Sequence, residues 1–260
     1  LWMATFNGMI SYHLRSGKFH PYLADSTKAG SLPYNKISRV FVDAEGVYWI
    51  FMYKRGIAWY NPVLNTFQRT GEKVNGRFID YDTYCQAEDK DGNVWIGCSN
   101  EILKYERVKN KFSVVLATGS QVSCLMCDKQ GNIWAGTGAG LWRIEPETLK
   151  RKFFSTADGI SGDIIRGLGQ DKQGRIWIAT GNGLTLYNPK QATFRIFRTQ
   201  DGLESDDLKY GFYQAPDDRF FLCGKNYVTW FYPDSLSFNK TIPPVAITGF
   251  KVFNRPAPVV

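Results

Sequence analysis

Long apolar runs are missing from this sequence. No stretch of its 260 residues approaches about 18 consecutive apolar positions, so no membrane-spanning helix and no membrane contact are expected. The opening residues, Leu1-Trp2-Met3-Ala4-Thr5, lack the basic stretch and apolar centre of a secretion signal. They read as the inside of a strand, which suggests a piece of a longer chain. Histidine is scarce: only His13 and His20 occur, so any histidine-based acid–base or Ser/His/Asp chemistry must be built on them. Both read as edge-strand surface residues, and no catalytic residue is expected. The five cysteines are too few and too scattered for a disulfide framework. Cys124 and Cys127 have zinc-knuckle spacing, but they fall on one strand, face opposite ways and lack a second pair, so neither metal nor cofactor is expected. Concentrated charge is also scarce. The net charge is +8, yet Lys150-Arg151-Lys152 is the only tight basic run. That pattern is a solvated surface with some attraction for anions, and no nucleic-acid partner is expected. No window carries a helical period.

What the chain does have is a repeat. Asp, two residues, Gly, two residues, Trp recurs as Asp43/Gly46/Trp49, Asp89/Gly92/Trp95, Asp128/Gly131/Trp134 and Asp171/Gly174/Trp177, with tryptophans 46, 39 and 43 residues apart. A degenerate copy follows around Ala215, Asp218 and Phe221. A headless copy opens the chain, since Ala4-Thr5-Phe6-Asn7-Gly8-Met9 and Tyr12 match Ala179-Thr180-Gly181-Asn182-Gly183-Leu184 and Tyr187. Each copy reads as four short strands. The Asp-x-x-Gly segment is a tight turn and a Gly/Asn hairpin follows the Trp strand. Four strands in about 40–45 residues is one propeller blade, and such a blade shelters its Trp only by stacking on a neighbour. The fold expected is all-β: a propeller of four-stranded antiparallel blades over 1–240, with about six blades visible and the set incomplete. Residues 241–260 are expected to be a linker and one further strand, whose segment around Val245–Phe253 could pair with an open blade edge. Cys85, Cys124 and Cys223 fall in small-residue columns near the axis and read as small buried hydrophobes.

The stretch Asp128-Lys129-Gln130-Gly131-Asn132-Ile133-Trp134-Ala135-Gly136-Thr137 resembles the two-component regulator propeller repeat, as do the connectors Asp158-Gly159-Ile160 and Asp201-Gly202-Leu203. The tail, Tyr232-Pro233-Asp234-Ser235 and then Pro243-Pro244-Val245-Ala246-Ile247-Thr248-Gly249-Phe250-Lys251-Val252-Phe253-Asn254, resembles the last repeat and the first strand of the immunoglobulin-like triple-tyrosine module that follows it. Together they resemble the periplasmic sensor region of a Bacteroides-type hybrid two-component histidine kinase. That resemblance implies a non-catalytic ectodomain of an inner-membrane protein. It implies recognition of an oligosaccharide, control of glycan-utilisation genes and a homodimer. The positive charge hints at an acidic glycan. Family propellers usually have seven blades, and six copies are visible here. The architecture is also similar to streptogramin lyase-type propellers, which rely on histidine and a divalent metal; a protein-binding scaffold is a third reading.

Ligands are expected at the mouth of the axial channel, where the connectors into strand one meet the hairpins between strands two and three. The candidates are Arg39, Arg77 and Arg166 near strand one, and Tyr53, Arg55, Lys225 and Tyr227 on hairpins. Aromatic faces stack on sugar rings and guanidinium groups grip carboxylate or sulfate. Arg39 interrupts a small-residue column and Phe51 interrupts another, which marks the second copy as irregular. Two glycine-rich or acidic segments read as turns: Asp89-Lys90-Asp91-Gly92-Asn93 only imitates a calcium loop, and Gly136-Thr137-Gly138-Ala139-Gly140 lacks the spacing of a phosphate loop.

Overall fold

Each Asp-x-x-Gly turn closes on its own aspartate. In the fourth blade Asp128 Oδ1 accepts the amides of Gln130 and Asn132 at 2.9 and 2.8 Å, while Gly131 sits at φ +95°. Asp128 Oδ2 accepts the indole N–H of Trp134 at 2.8 Å. The same indole bond recurs at 2.8 Å from Trp49 to Asp43, 2.8 Å from Trp95 to Asp89 and 2.9 Å from Trp177 to Asp171. A buried indole needs an acceptor, and a carboxylate six residues earlier supplies it while shaping the turn. The repeat spacing is therefore one device with two duties.

In the computed structural model the described residues are 1–70, 82–209 and 211–236, with the backbone of four short strands at Lys73–Val74, Arg77–Phe78, Phe250–Val252 and Arg255–Ala257. They form six antiparallel meanders in chain order. Blade one has three strands, Trp2–Thr5, Gly8–His13 and Lys18–Tyr22. Blade two runs Ile37–Val42, Tyr48–Met52, Gly56–Asn61 and Thr66–Arg69. Blade three runs Thr83–Glu88, Val94–Cys98, Glu101–Glu106 and Lys111–Ala117. Blade four runs Val122–Cys127, Ile133–Thr137, Leu141–Ile144 and Arg151–Phe154. Blade five runs Ile165–Gln170, Ile176–Thr180, Gly183–Asn188 and Thr193–Phe197. Blade six shows Phe212–Gln214, Phe220–Cys223 and Val228–Phe231, one strand fewer than expected among the described residues. In the tail Phe250–Val252 pairs with Arg255–Ala257 in a hairpin rather than with a blade edge; the rest of Val245–Phe253 lies outside the described residues.

The core lies between blades. Trp49 packs with Val94, Ile96, Leu103, Tyr105 and Phe112 of blade three, and Trp134 packs with Ile165, Ile176, Ile178 and Tyr187 of blade five. Trp2 stands in the same column, two residues before Ala4, and its ring meets Tyr48 and Tyr60 of blade two. It is the tryptophan of the headless copy. Cys127 packs in the cluster between blades three and four, while Cys124 packs in the next, so the two face opposite ways. Cys85 is buried, and Cys124 and Cys223 are half-buried. Burial pushes the Cys124 thiol up to about 12, which keeps it a neutral thiol.

Close approach of strands explains the small columns. A Cβ on Gly97 would lie 2.4 Å from Cys85 Sγ, and one on Gly136 would lie 2.5 Å from both Cys124 Sγ and Ile165 Cγ2. These pairs are cross-strand partners, Cys85 with Gly97 and Cys124 with Gly136. In blade two the equivalent partners are Arg39 and Phe51, so the two sequence irregularities are one paired change. The Asp-Gly connectors also have a cause. Thr156–Asp158 and Thr199–Asp201 are single 3-10 turns, each ended by glycine, Gly159 at φ 118° and Gly202 at φ 102°. They are too short to carry a helical period in the sequence.

Candidate functional site

Every first strand of blades two to five slips register at one point, which leaves Ser38, Tyr84, Ser123 and Arg166 outside the pairing. A bulge at the same place in each blade re-aims one side chain beside the connectors and hairpins. Arg39 follows such a bulge. Its guanidinium Nη2 donates to the carbonyl of Tyr84, tying blade two to blade three. Of the candidates on blade two, Arg39 thus has a structural partner while keeping an exposed side chain.

The blade-two hairpin Tyr53-Lys54-Arg55 is held by the Tyr53 amide, which donates to Lys36 O at 2.8 Å, and by Lys54 at φ 52°. Arg55 lies over the ring of Tyr34 at 5.6 Å, a cation–π contact with the incoming connector. Beneath it a cavity of about 270 Å³ is lined by Pro33, Tyr34, Met52, Arg55 and Arg69. On the other side the Tyr53 ring meets Phe6 of the blade-one hairpin at 5.8 Å, with Lys54 Nζ 5.3 Å from the same ring. Phe6 is 67% exposed and Tyr53 37% exposed, so two aromatic faces stand in solvent beside cationic donors. Phe6 was not among the sequence candidates. Its signal is positional: it fills the hairpin place that Gly181 holds in blade five.

The remaining candidates lie elsewhere. Arg166 and Lys225 are exposed on blades five and six. Tyr227 donates its hydroxyl to Ser205 O at 3.5 Å and packs against Gly224, where a Cβ would lie 1.9 Å from its ring. The side chain of Arg77 lies outside the described residues. The structure therefore brings Tyr53 and Arg55 together with Tyr34 and Phe6, and sets Arg166, Lys225 and Tyr227 on other blades.

The two turn-like segments and the histidines are fixed by local contacts. Asp89 accepts Asn93 Nδ2 at 3.1 Å and Trp95 Nε1 at 2.8 Å, with Lys104 Nζ at 3.8 Å, so its oxygens serve the turn. Thr137 and Gly140 close the glycine-rich hairpin through N–H to O at 2.9 Å and hydroxyl to O at 2.8 Å. His13 takes the Ser16 amide at 3.2 Å on its ring, and His20 lies edge-on to Tyr22 at 4.7 Å, both exposed.

An arginine ties blades two and three through ion pairs. Arg107, from the strand three–four turn of blade three, donates to Asp43 Oδ2 at 2.7 Å and Glu45 Oε2 at 2.9 Å. Burial pushes the Asp43 carboxyl up, but bonds from Arg107, the Trp49 indole and the Val47 amide outweigh it and hold the group below its ordinary value. In blades three and four an asparagine, Asn93 or Asn132, bonds the turn aspartate, and in blade five Arg175 does so at 2.6 Å. Blade two has Val47 at that position and borrows its donor from the next blade.

Six antiparallel sheets side by side, tryptophans sealed between successive blades, make this a β-propeller. Three stretches match a known repeat: residues 78–100, 117–139 and 159–182 match the family described as Two component regulator propeller. The fold is similar to the extracellular domain of the hybrid two component system BT3049 from B. thetaiotaomicron, at 17% identity, covering 99% of this chain and 42% of that one, with TM-score 0.58. It is similar to the extracellular domain of BT4673 from the same organism, at 17% identity, covering 88% and 38%, with TM-score 0.58. Virginiamycin B lyase from Staphylococcus aureus is also similar in fold, at 14% identity, covering 88% and 79%, with TM-score 0.64. The chain thus spans about two fifths of the length of the Bacteroides domains. No curated protein matches it in sequence. No helix of the described residues is long and apolar enough to cross a membrane.

Proposed function

We propose that this chain is a non-catalytic, ligand-sensing stretch of the periplasmic part of a hybrid two-component sensor, and that it recognises an oligosaccharide with the hairpin face of blades one and two. The observation that carries this is the exposed Phe6–Tyr53 pair beside Arg55 on Tyr34. Apolar faces of pyranose rings stack on such aromatics, and the guanidinium fork fixes hydroxyl or carboxylate oxygens. The repeat match and the likeness to sensor ectodomains support the sensor role. Signalling requires that the sugar favour one of two arrangements of the propeller against the downstream module, so that the full sensor, as a homodimer, switches glycan-utilisation genes.

The lyase likeness is one of fold. A histidine-to-alanine variant of the staphylococcal lyase is described as catalytically inactive. Here both histidines are exposed on blade one, His13 beside Ser16 and His20 beside Tyr22. The test is calorimetric titration with a panel of neutral and acidic oligosaccharides, with mass spectrometry of each sugar and of quinupristin after long incubation. One glycan should bind and all should remain intact. Tyr53→Ala should weaken binding roughly tenfold, the loss of one stacking face. Cleavage of quinupristin, or binding unchanged by Tyr53→Ala, would overturn the proposal.

A further inference from the structure

The turn face, opposite the hairpins, carries grooves between successive blades, and two of them form an internal comparison. The repeat dictates the Asp, Gly and Trp of each turn. It leaves free the residues between them and those of the strand three–four turn. Between blades three and four the groove holds about 260 Å³ and is acidic, with Asp91, Glu145 and Glu147 against Lys90. Between blades four and five it holds about 450 Å³ and its charges reverse: Lys129, Arg143, Lys172 and Lys190 line it, with Pro189 on its wall. The backbone is equivalent, so Pro146-Glu147 of one groove corresponds to Pro189-Lys190 of the other.

The one carboxylate lining the basic groove is Asp128. It is buried, and its oxygens are already taken by Trp134 Nε1 at 2.8 Å, Asn132 Nδ2 at 2.9 Å and the turn amides. The basic side chains of the groove outnumber this one carboxylate. Three of the cations are held in place by one bond each: Arg143 Nη2 to Asn132 Oδ1 at 3.0 Å, Lys129 Nζ to Asp171 O at 3.1 Å, Lys172 Nζ to Asp218 Oδ2 at 2.8 Å. Each retains further N–H donors. Lys190 has no carboxylate partner among the described residues. Lys172 is offset by Asp218, whereas Lys129, Arg143 and Lys190 line one groove without a carboxylate pair among the described residues and repel one another.

We infer that the groove between blades four and five binds the carboxylate or sulfate group of a small acidic sugar. Arg143 supplies a planar fork for two oxygens, the three ammonium groups supply point charges around it, and Pro189 gives the sugar ring an apolar wall. This site lies at the opposite end of the blades from the hairpins, so it stands whether or not the hairpin face binds glycan.

The experiment is calorimetric titration of the full chain at low salt with D-glucuronate, D-glucose 6-sulfate and D-glucose. At least one anion should bind, weakening as salt rises, and glucose should not. Binding of glucuronate alone or of the sulfate alone identifies which group the site takes. The double variant Lys172→Gln/Lys190→Glu, both on exposed turns, should keep its unfolding midpoint and lose roughly tenfold or more in anion affinity. Glu147→Lys, a charge change in the acidic groove, should leave that affinity unchanged. Absence of heat with both anions, equal binding of glucose, full affinity in the double variant, or an equal change from Glu147→Lys would overturn the inference.

Discussion

The interior blades and the end blades are built from the same columns and meet opposite fates. In blade three Tyr105 and Phe112 lie 4.8 Å apart and seal Trp49; in blade one their equivalents Tyr12 and Phe19 lie 4.6 Å apart. Yet Phe112 is 2% exposed and Phe19 65% exposed. Blade six repeats the contrast from the other side. Phe221 stands in the tryptophan column between its cross-strand partners Tyr213 and Trp230, and Trp230 is 53% exposed, with Arg219 5.4 Å from both the Phe221 and Trp230 rings. A blade thus makes an aromatic face whether or not a neighbour covers it. Burial, and with it stability, belongs to the interface between repeats.

The widest gap between the two regions should come from Trp134→Ala against Trp230→Ala. Urea denaturation should show a loss of about 3–5 kcal/mol for the first and a change within about 0.5 kcal/mol for the second. Equal losses would mean that the end face is covered in solution. A smaller effect isolates the electrostatic part of an interior interface. Arg107→Ala should cost about 2–3 kcal/mol, because Asp43 is left buried with its charged donor gone. The carboxyl is held below its ordinary value when folded, so its contribution is complete above about pH 4 and disappears as pH falls through the depressed folded value. The gap between wild type and variant should therefore narrow in acid, as read by denaturation midpoints across pH. The smallest effect concerns glycines. Gly136→Ala pushes a methyl into Cys124 and Ile165 and should cost about 1–3 kcal/mol. Gly46→Ala, at φ +81° with nothing within 4 Å, should cost about 1 kcal/mol of backbone strain alone. The order of the two thermal midpoints checks whether crowding near the axis outweighs turn conformation.

The parts of this molecule that could be read from the chain are those whose partners are close in sequence. Asp128 and Trp134 are six residues apart, and one turn forces them together, so their spacing announced the blade. The small columns of Cys85 and Gly97 were visible for the same reason. Trp2 was legible by its place before Ala4, though only the ring contacts with Tyr48 and Tyr60 give it a role. Contacts across blades were not legible. Arg107 reaches Asp43 across 64 residues, and no local pattern links a turn arginine to a missing asparagine at Val47. The candidate site divides the same way. Tyr53 and Arg55 stood out on one hairpin, whereas Phe6 joins them from a different blade, and the partner of Arg39 is a backbone carbonyl, which any residue type could have supplied.

The loan of Arg107 to blade two bears on how such arrays are assembled by duplication and exchange of units. Blades three, four and five each carry the donor for their own turn acid and could be transplanted singly. Blade two could not: moved without its successor, it would strand a carboxylate in an apolar seam. Recombination that respects this molecule must carry the second and third units as one cassette, and a lone graft of the second would first need Val47 changed to asparagine.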